Sequence, residues 1–351
     1  MTADPNHSET GRLDRYQRQI RYAPLGEKGQ RQLLESRVLI CGSGALGCVV
    51  ADTLVRAGVG FVRIVDRDFV ETDNLHRQVL FDESDATAQL PKAVAAANRL
   101  HRVNSGPQIE PVVTDLNATN IDRLADDVQL IVDGTDNFET RYLLNDYAVA
   151  KNRPWVFAGC VGTEGQTLAI VPGKTPCLTC IMPEPPPTTA QPTCETAGVL
   201  GPIVNVIASL QAMEALKFLS GNRGQLNPAM TLVDLWHNQI RMIGVGASRS
   251  EDCPTCGRRE FAWLDGNRGS AITRLCGRNS VQIAPAVPEP VDLIALANRL
   301  SDIGQVTANP FLLRLVVDDY LLTVFADGRT IVGGTDDPAV ARTVHAKYVG
   351  S

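Results

Sequence analysis

At 351 residues with 44% hydrophobic content, the chain can fill more than one sizeable core. A net charge of −6 and the lack of any basic run argue against nucleic acid or an anionic membrane as the main partner. Nine cysteines, an odd count, and no export signal in "MTADPNHSETGRLDRY" predict a cytoplasmic protein without a disulfide framework.

Residues 14–34 are charged and read as helical. The strand "RVLICG" follows, then a helix from about Ala45 to Ala57 and the strand "FVRIVD". A long loop, "RDFVETDNLHRQVLFDESDATAQL", leads to Pro91, which suits a first helical turn and opens "PKAVAAANRLHRV". "QIEPVV" and "QLIVDG" read as strands with a helical segment between them. "ETRYLLNDYAVAKN" reads as a helix and "PWVFAGC" as a strand. This alternation predicts a doubly wound, Rossmann-like parallel sheet.

After residue 160 the pattern changes. "QTLAIVPG" and "MTLVDLWHNQIRMIGV" predict antiparallel strands that flank the helix 201–219. The longest apolar stretch, "LGPIVNVIASLQAMEALKFL", carries Asn205, Gln211, Glu214 and Lys217, so it reads as a buried helix, not a membrane span. "MPEPPPTTAQPTCETAG" predicts an exposed, mobile loop. A boundary near "WLDGNRGSA" divides a domain at 1–265 from a small α+β module at 266–351. The module's expected order is strand, helix, a hairpin turning near "ADGR", then helix.

Gly42-x-Gly44-x-x-Gly47 lies between the first strand and its helix, and Asp66 follows nineteen positions after Gly47. That context fits a nucleotide loop whose backbone approaches phosphate, with an acidic residue for the ribose. The motif does not say which nucleotide. "DRDFVETDNLHRQ" concentrates Asn74, Arg77 and Gln78, with Lys92 soon after. Such cations fit charge developing on a phosphoryl centre better than a nicotinamide site. The bland reading is a solvated loop.

"VDGTDNFETR" places Asp133 and Asp136 at a strand's carboxyl end, where open α/β sheets bind ligands. A carboxylate there can hold Mg²⁺. Thr135 or Asp136 can instead cap the next helix. Cys177-x-x-Cys180 and Cys253-x-x-Cys256 have the spacing of a structural Cys₄ zinc site, with redox CxxC pairs as the rival reading. Cys194, left outside both pairs and just before an apolar helix, is a candidate nucleophile. Cys41, Cys48 and Cys160 read as packing and Cys276 is ambiguous. The histidines at 7, 76, 101, 237 and 345 show no ligand spacing.

Together "RYQRQI" (15–20), "GSGALG" (42–47), "DRD" (66–68), "NLHRQ" (74–78), "PK" (91–92), "DGTDN" (133–137), "CLTC", "TCETAGV", "SLQAMEALKFLSG" and "CPTC" resemble the ThiF/MoeB/HesA family of ubiquitin-activating-enzyme-like adenylyltransferases. The resemblance runs from about residue 12 to 260. It implies that the glycine loop binds ATP. The substrate is then a ubiquitin-like sulfur-carrier protein ending Gly-Gly, whose C-terminal carboxylate attacks the α-phosphate and releases pyrophosphate. By the same resemblance Asp66 holds the ribose, Asp68 and Gln78 belong to the nucleotide site, Asn74, Arg77 and Lys92 contact phosphates, and Asp136 binds Mg²⁺. Arg18 matches an arginine that reaches into the partner subunit's site, which implies a homodimer. Cys194 matches a sulfur-handling cysteine of some members. A sulfur donor protein then completes a C-terminal thiocarboxylate used for thiamine, molybdopterin, thiolated tRNA or other sulfur compounds.

Residues 270–351 show no rhodanese loop, so the tail's expected roles are carrier docking, dimer extension, a second sulfur at Cys276, or stabilisation. The competing readings are adenylation of another peptide or small carboxylate, an NAD-dependent oxidoreductase, and a catalytically silent module.

Overall fold

The computed structural model describes residues 13–186, 197–268, 279–283, 285 and 290–350, together with the backbone of 272–275. The chain forms two compact units, Met1–Arg268 and Gly269–Ser351.

In the first unit the strands are β1 (Arg37–Cys41), β2 (Phe61–Asp66), β3 (Gln108–Val113), β4 (Leu130–Asp133), β5 (Trp155–Val161), β6 (Glu164–Ile170), β7 (Ala229–Asp234) and β8 (Gln239–Gly244). They make one sheet in the order β3-β2-β1-β4-β5-β6-β7-β8. The pairings from β3 through β5 are parallel, and those from β5 through β8 are antiparallel. The expected doubly wound sheet with an antiparallel continuation is therefore present. β1 pairs with β2 on one side and β4 on the other, so the winding reverses there. Such a reversal opens a crevice at the strands' carboxyl ends.

The main helices are α1 (Gly26–Glu35), α2 (Ala45–Ala57), α3 (Lys92–Val103), α4 (Phe138–Ala150) and α5 (Gly201–Leu219). Helices α2, α3 and α5 share one core with Val38, Ile40, Ile64 and Val132. Helix α4 covers the opposite face with Leu39, Ile131, Trp155 and Phe157. Parallel strands buried on both faces need the near-continuous apolar runs seen in "RVLIC" and "LIVD". By length and composition α5 could cross a membrane. Here it packs on α2 and β4–β6, with Ile203, Val204, Ile207 and Ala212 buried.

Several local expectations change. The helical segment 14–34 is split into Gln17–Ile20 and α1, with Pro24 in the break, because proline cannot continue a helix. Pro91 is the N-cap residue of α3 and precedes its first turn. The long loop holds a 3₁₀ turn, Thr72–Asn74, and a helix, Glu83–Thr87, closed by an Asp82/Asp85 capping box. "MTLVDLWHNQIRMIGV" forms the expected antiparallel strands, joined as a hairpin, β7–β8, with Asn238 at φ 55° in its turn.

The second unit contains β9 (Ile272–Leu275), β10 (Ser280–Ile283), β11 (Gln305–Ala308), β12 (Leu312–Val317), β13 (Tyr320–Phe325) and β14 (Thr330–Gly333), with helices α6 (Leu293–Leu300) and α7 (Pro338–Tyr348). Its sheet order is β11-β12-β13-β14-β10-β9, antiparallel throughout. Val281, Leu296, Leu313, Leu322 and Val344 fill its core. The α+β expectation holds for this unit, but the hairpin near "ADGR" is joined by a second turn at Asp318, where φ is 50°. Strand β11 also went unforeseen, because "QVTA" has little hydrophobic alternation to announce an edge strand.

Candidate active site

The glycine loop leaves β1 and turns into α2 at the β1/β4 crevice. Gly42 has φ 88°, and a Cβ there would sit 2.8 Å from the Gly134 carbonyl oxygen. A Cβ on Gly47 would lie 1.9 Å from the Gly42 oxygen. The glycines thus permit two close backbone approaches, one of them to the loop after β4. Gly44 is the N-cap residue of α2, whose first amide groups receive no side-chain cap. Free amides at a helix N-terminus suit a phosphate.

Asp66, at the end of β2, is buried. Its Oδ2 accepts the Ser43 N–H at 2.6 Å and its Oδ1 accepts the Asp68 N–H at 2.7 Å. Burial pushes its carboxyl up from the usual range, while Lys92 and the two amides pull the other way. The Lys92 ammonium is also buried and lies 3.4 Å from Asp68 Oδ2. Arg67 bridges both oxygens of Asp115 at 3.2 Å. Burial opposes its charge, but Asp115, Asp68, Asp136 and Asp66 outweigh it and raise its pKa.

The 72–80 loop reaches the start of α2, where Leu80 is buried in the same core as Leu46 and Cys48. Asn74 and Gln78 are buried, and among the described residues their amide oxygens Oδ1 and Oε1 have no hydrogen-bond partner. Buried polar atoms left unmet in a crevice are what a bound ligand would complete. Arg77 is half-buried and donates from Nη1 to the Asp73 carbonyl at 2.8 Å. Burial pushes the Cys48 thiol up to about 12, so this cysteine beneath the loop is inert packing.

The two aspartates after β4 have different surroundings. Asp133 is fully buried, ion-pairs with Arg141 at 3.1 Å, and accepts the Thr135 N–H and hydroxyl at 2.9 and 2.6 Å. Asp136 is exposed, and no hydrogen bond or ion pair among the described residues ties its carboxylate. Neither Thr135 nor Asp136 caps the helix. Asn137 does, by accepting the Thr140 N–H at 2.8 Å. A free carboxylate beside the phosphate loop suits Mg²⁺, which is usually held by one or two carboxylates plus substrate phosphates.

Arg18 is exposed on the helix Gln17–Ile20. Its neighbours tie that helix to the far end of α2. Gln19 Nε2 donates to the Ala57 carbonyl at 2.9 Å, and the Tyr16 ring fills the notch at Gly58, where a Cβ would lie 2.5 Å from the ring. Asn104 Nδ2 holds the Tyr16 hydroxyl at 2.9 Å. The thirteen residues of α2 put that end about 20 Å from the glycine loop. Arg18 is thus set apart from the other candidates.

Cys177, Cys180, Cys253 and Cys256 converge, with all four Sγ atoms within 4.8 Å of one another. Three pairs stand 3.8, 3.6 and 3.3 Å apart. Tetrahedral zinc–thiolate bonds of about 2.3 Å require sulfurs about 3.8 Å apart. Helix α4 holds both knuckles. Asn145 accepts the Leu178 N–H at 2.8 Å and donates to Thr179 Oγ1 at 3.0 Å. Asp146 accepts from Thr255 Oγ1 at 3.2 Å and from the Trp263 N–H at 2.9 Å. This convergence disfavours two separate redox pairs. Cys194 and Cys276 lie outside the described residues.

Arg141 and Gln211 were not foreseen as part of this region. Gln211 Nε2 donates to the carbonyls of Asp133 and Val156 at 2.7 and 2.9 Å. The available signal was a fully buried-looking apolar helix carrying a polar residue, since such a residue demands a partner.

The ThiF family matches residues 16–255. The sulfur carrier protein ThiS adenylyltransferase of Bacillus subtilis (strain 168) is 42% identical over 337 residues, covering 96% of this chain and 99% of that protein. The sulfur carrier protein adenylyltransferase of Thermus thermophilus is 40% identical, covering 70% of this chain and 91% of that protein. Among solved structures, E. coli MccB with ATP is 27% identical at a TM-score of 0.59, covering 70% of this chain and 74% of that one.

Proposed function

The chain belongs to the ThiF family, and from that membership we propose that it adenylates the C-terminal Gly-Gly carboxylate of a ubiquitin-like sulfur-carrier protein. The observation that carries this reading is the nucleotide crevice itself, with its glycine loop, Asp66, Lys92 and free Asp136 gathered at the β1/β4 reversal. The oxidoreductase alternative finds no support among the relatives, which are named as adenylyltransferases.

ATP lies with its phosphates over the glycine loop and its ribose hydroxyls at Asp66. Asp66 is preorganised for this by the two amides that fix its carboxylate. Lys92 and Arg77 face the phosphates. Attack of a carboxylate on the α-phosphate brings two anions together, so these cations offset repulsion and the charge that builds on the equatorial oxygens. Asp136 would hold Mg²⁺, which adds further charge compensation when bound. Pyrophosphate departs and leaves an acyl-adenylate open to sulfur attack. The Cys₄ cluster is read as structural zinc, because four thiolates leave no open coordination position.

The test is carrier-dependent exchange of labelled pyrophosphate into ATP, using Gly-Gly-ending carriers from the same organism. At least one carrier should support exchange, and a carrier lacking its last glycine should not. Exchange that needs no carrier would overturn the reading. In the same assay Cys194→Ser should leave exchange near wild type yet lower thiocarboxylate formation from a protein-bound sulfur donor. Adenylation needs no thiol, whereas sulfur delivery needs a thiolate or persulfide. A normal thiocarboxylate rate would leave Cys194 without a role in sulfur transfer.

We further propose that Arg18 acts across a homodimer. Its anchorage at the far end of α2 supports this, since the arginine cannot serve the glycine loop of its own chain from there. Arg18→Ala and Asp136→Asn should each impair exchange. Mixed chains should recover about one quarter of wild-type activity, because half the dimers are hybrids and each hybrid has one complete site. No recovery despite demonstrated subunit exchange would exclude an arginine supplied in trans.

A further inference from the structure

We propose that the buried Arg141–Asp133 pair is the positioning element that sets the β4 loop so that Asp136 faces the nucleotide and its metal. The proposal rests on the reading of Asp136 as the Mg²⁺ carboxylate. It concerns residues that touch neither substrate nor metal.

Arg141 lies in the first turns of α4, a helix that begins at the end of this same loop. Its guanidinium makes three bonds at once. Nε donates to Asp133 Oδ2 at 3.1 Å, and Nη2 donates to the carbonyls of Thr135 at 2.7 Å and Ala158 at 3.0 Å. The first bond ties the end of β4, the second ties the residue just before Asp136, and the third ties the neighbouring strand β5. Gly159 makes room, since a Cβ there would meet Arg141 Nη2 at 3.4 Å. From its other oxygen Asp133 gathers the Thr135 amide and hydroxyl.

The result is a loop held from inside at residues 133 and 135, leaving residue 136 turned outward and exposed. On its upper side the same loop is packed against the phosphate loop. A Cβ on Gly134 would lie 2.5 Å from the Gly42 oxygen. A shift of the 133–135 backbone would therefore move both the metal carboxylate and the floor beneath the phosphates. Gln211 adds a second tie by donating to the Asp133 carbonyl. Only a planar fork can hold three acceptors in these directions. A lysine ammonium is a point charge on a flexible stem and cannot replace it.

The test uses the full-length protein and Arg141→Lys, which keeps the buried positive charge. Binding of Mn²⁺ to the protein with a non-hydrolysable ATP analogue is followed by electron paramagnetic resonance, alongside thermal melting and the Mg²⁺ dependence of exchange. Arg141→Lys should weaken Mn²⁺ binding about 10- to 100-fold, as loss of outer-shell support does at metal sites. Affinity for the metal-free analogue should fall by a smaller factor than Mn²⁺ affinity, because the phosphate floor shifts with the loop but keeps its amides. If Arg141→Lys does not fold, the double variant R141Q/D133N, which leaves no unpaired buried charge, carries the same expectation. A folded variant with normal Mn²⁺ affinity, whatever its melting temperature, overturns the positioning role. Asp136→Asn is the control. If that variant binds Mn²⁺ normally, the metal reading of Asp136 itself falls, a result distinct from failure of the Arg141 variants alone.

Discussion

Lys92→Ala should lower carrier-dependent pyrophosphate exchange by about 10²- to 10³-fold, the usual effect of removing one preorganised charge from a developing anion. The ammonium is buried at the start of α3, so its field acts in a water-poor crevice where it counts most. The rate should fall more than the ATP KM rises, because charge on the α-phosphate is greatest in the transition state. The fold should survive. Asp68 keeps Arg67 as an opposite charge at 3.8 Å after the lysine is lost. Unchanged melting with exchange near wild type would remove Lys92 from the phosphate site. A variant that fails to bind ATP at all would place its role in ground-state binding.

The purified protein should carry about one zinc per chain, and Cys177→Ser or Cys256→Ser should release it. In small zinc peptides such a site contributes on the order of 10 kcal/mol to folding. Here part of that organisation is already supplied by Asn145 and Asp146 on α4, so the loss should be regional. Residues 246–268 should become the first point of protease attack, because their attachment runs through Cys253, Thr255, Cys256 and the Trp263 amide. Metal analysis, melting curves and limited proteolysis check this together. Metal-free protein with unchanged melting would remove the structural-zinc assignment.

The parts of the site legible in the sequence are those whose chemistry is local. Gly42, Gly44 and Gly47 are announced by spacing, and at Gly42 and Gly47 the turn between strand and helix admits no side chain. Asp66 is announced by its distance from that turn, since one helix and one strand must intervene. The Cys pairs are legible as pairs, since a CxxC turn places two sulfurs on one side. Their position after a strand names Asp133 and Asp136 together, and only the family resemblance singles out Asp136. The sequence carries no mark of which one Arg141 neutralises.

The sequence by itself therefore determined the parallel-then-antiparallel sheet, the glycine turn between β1 and α2 and the two CxxC halves of the Cys₄ cluster. Each follows from backbone geometry and hydrophobic period over a few residues. Only the tertiary structure decided how distant pieces meet. Cys177 and Cys253 are 76 positions apart, and Gln211 reaches a carbonyl 78 positions away. Partners so far apart in the chain become neighbours only once the strand order sets which loops share a sheet edge. The same holds for Arg18, whose place at the far end of α2 depends on Tyr16 finding the Gly58 notch. Local spacing encodes what a turn or helix can accept, and packing across the sheet decides which side chains it brings there.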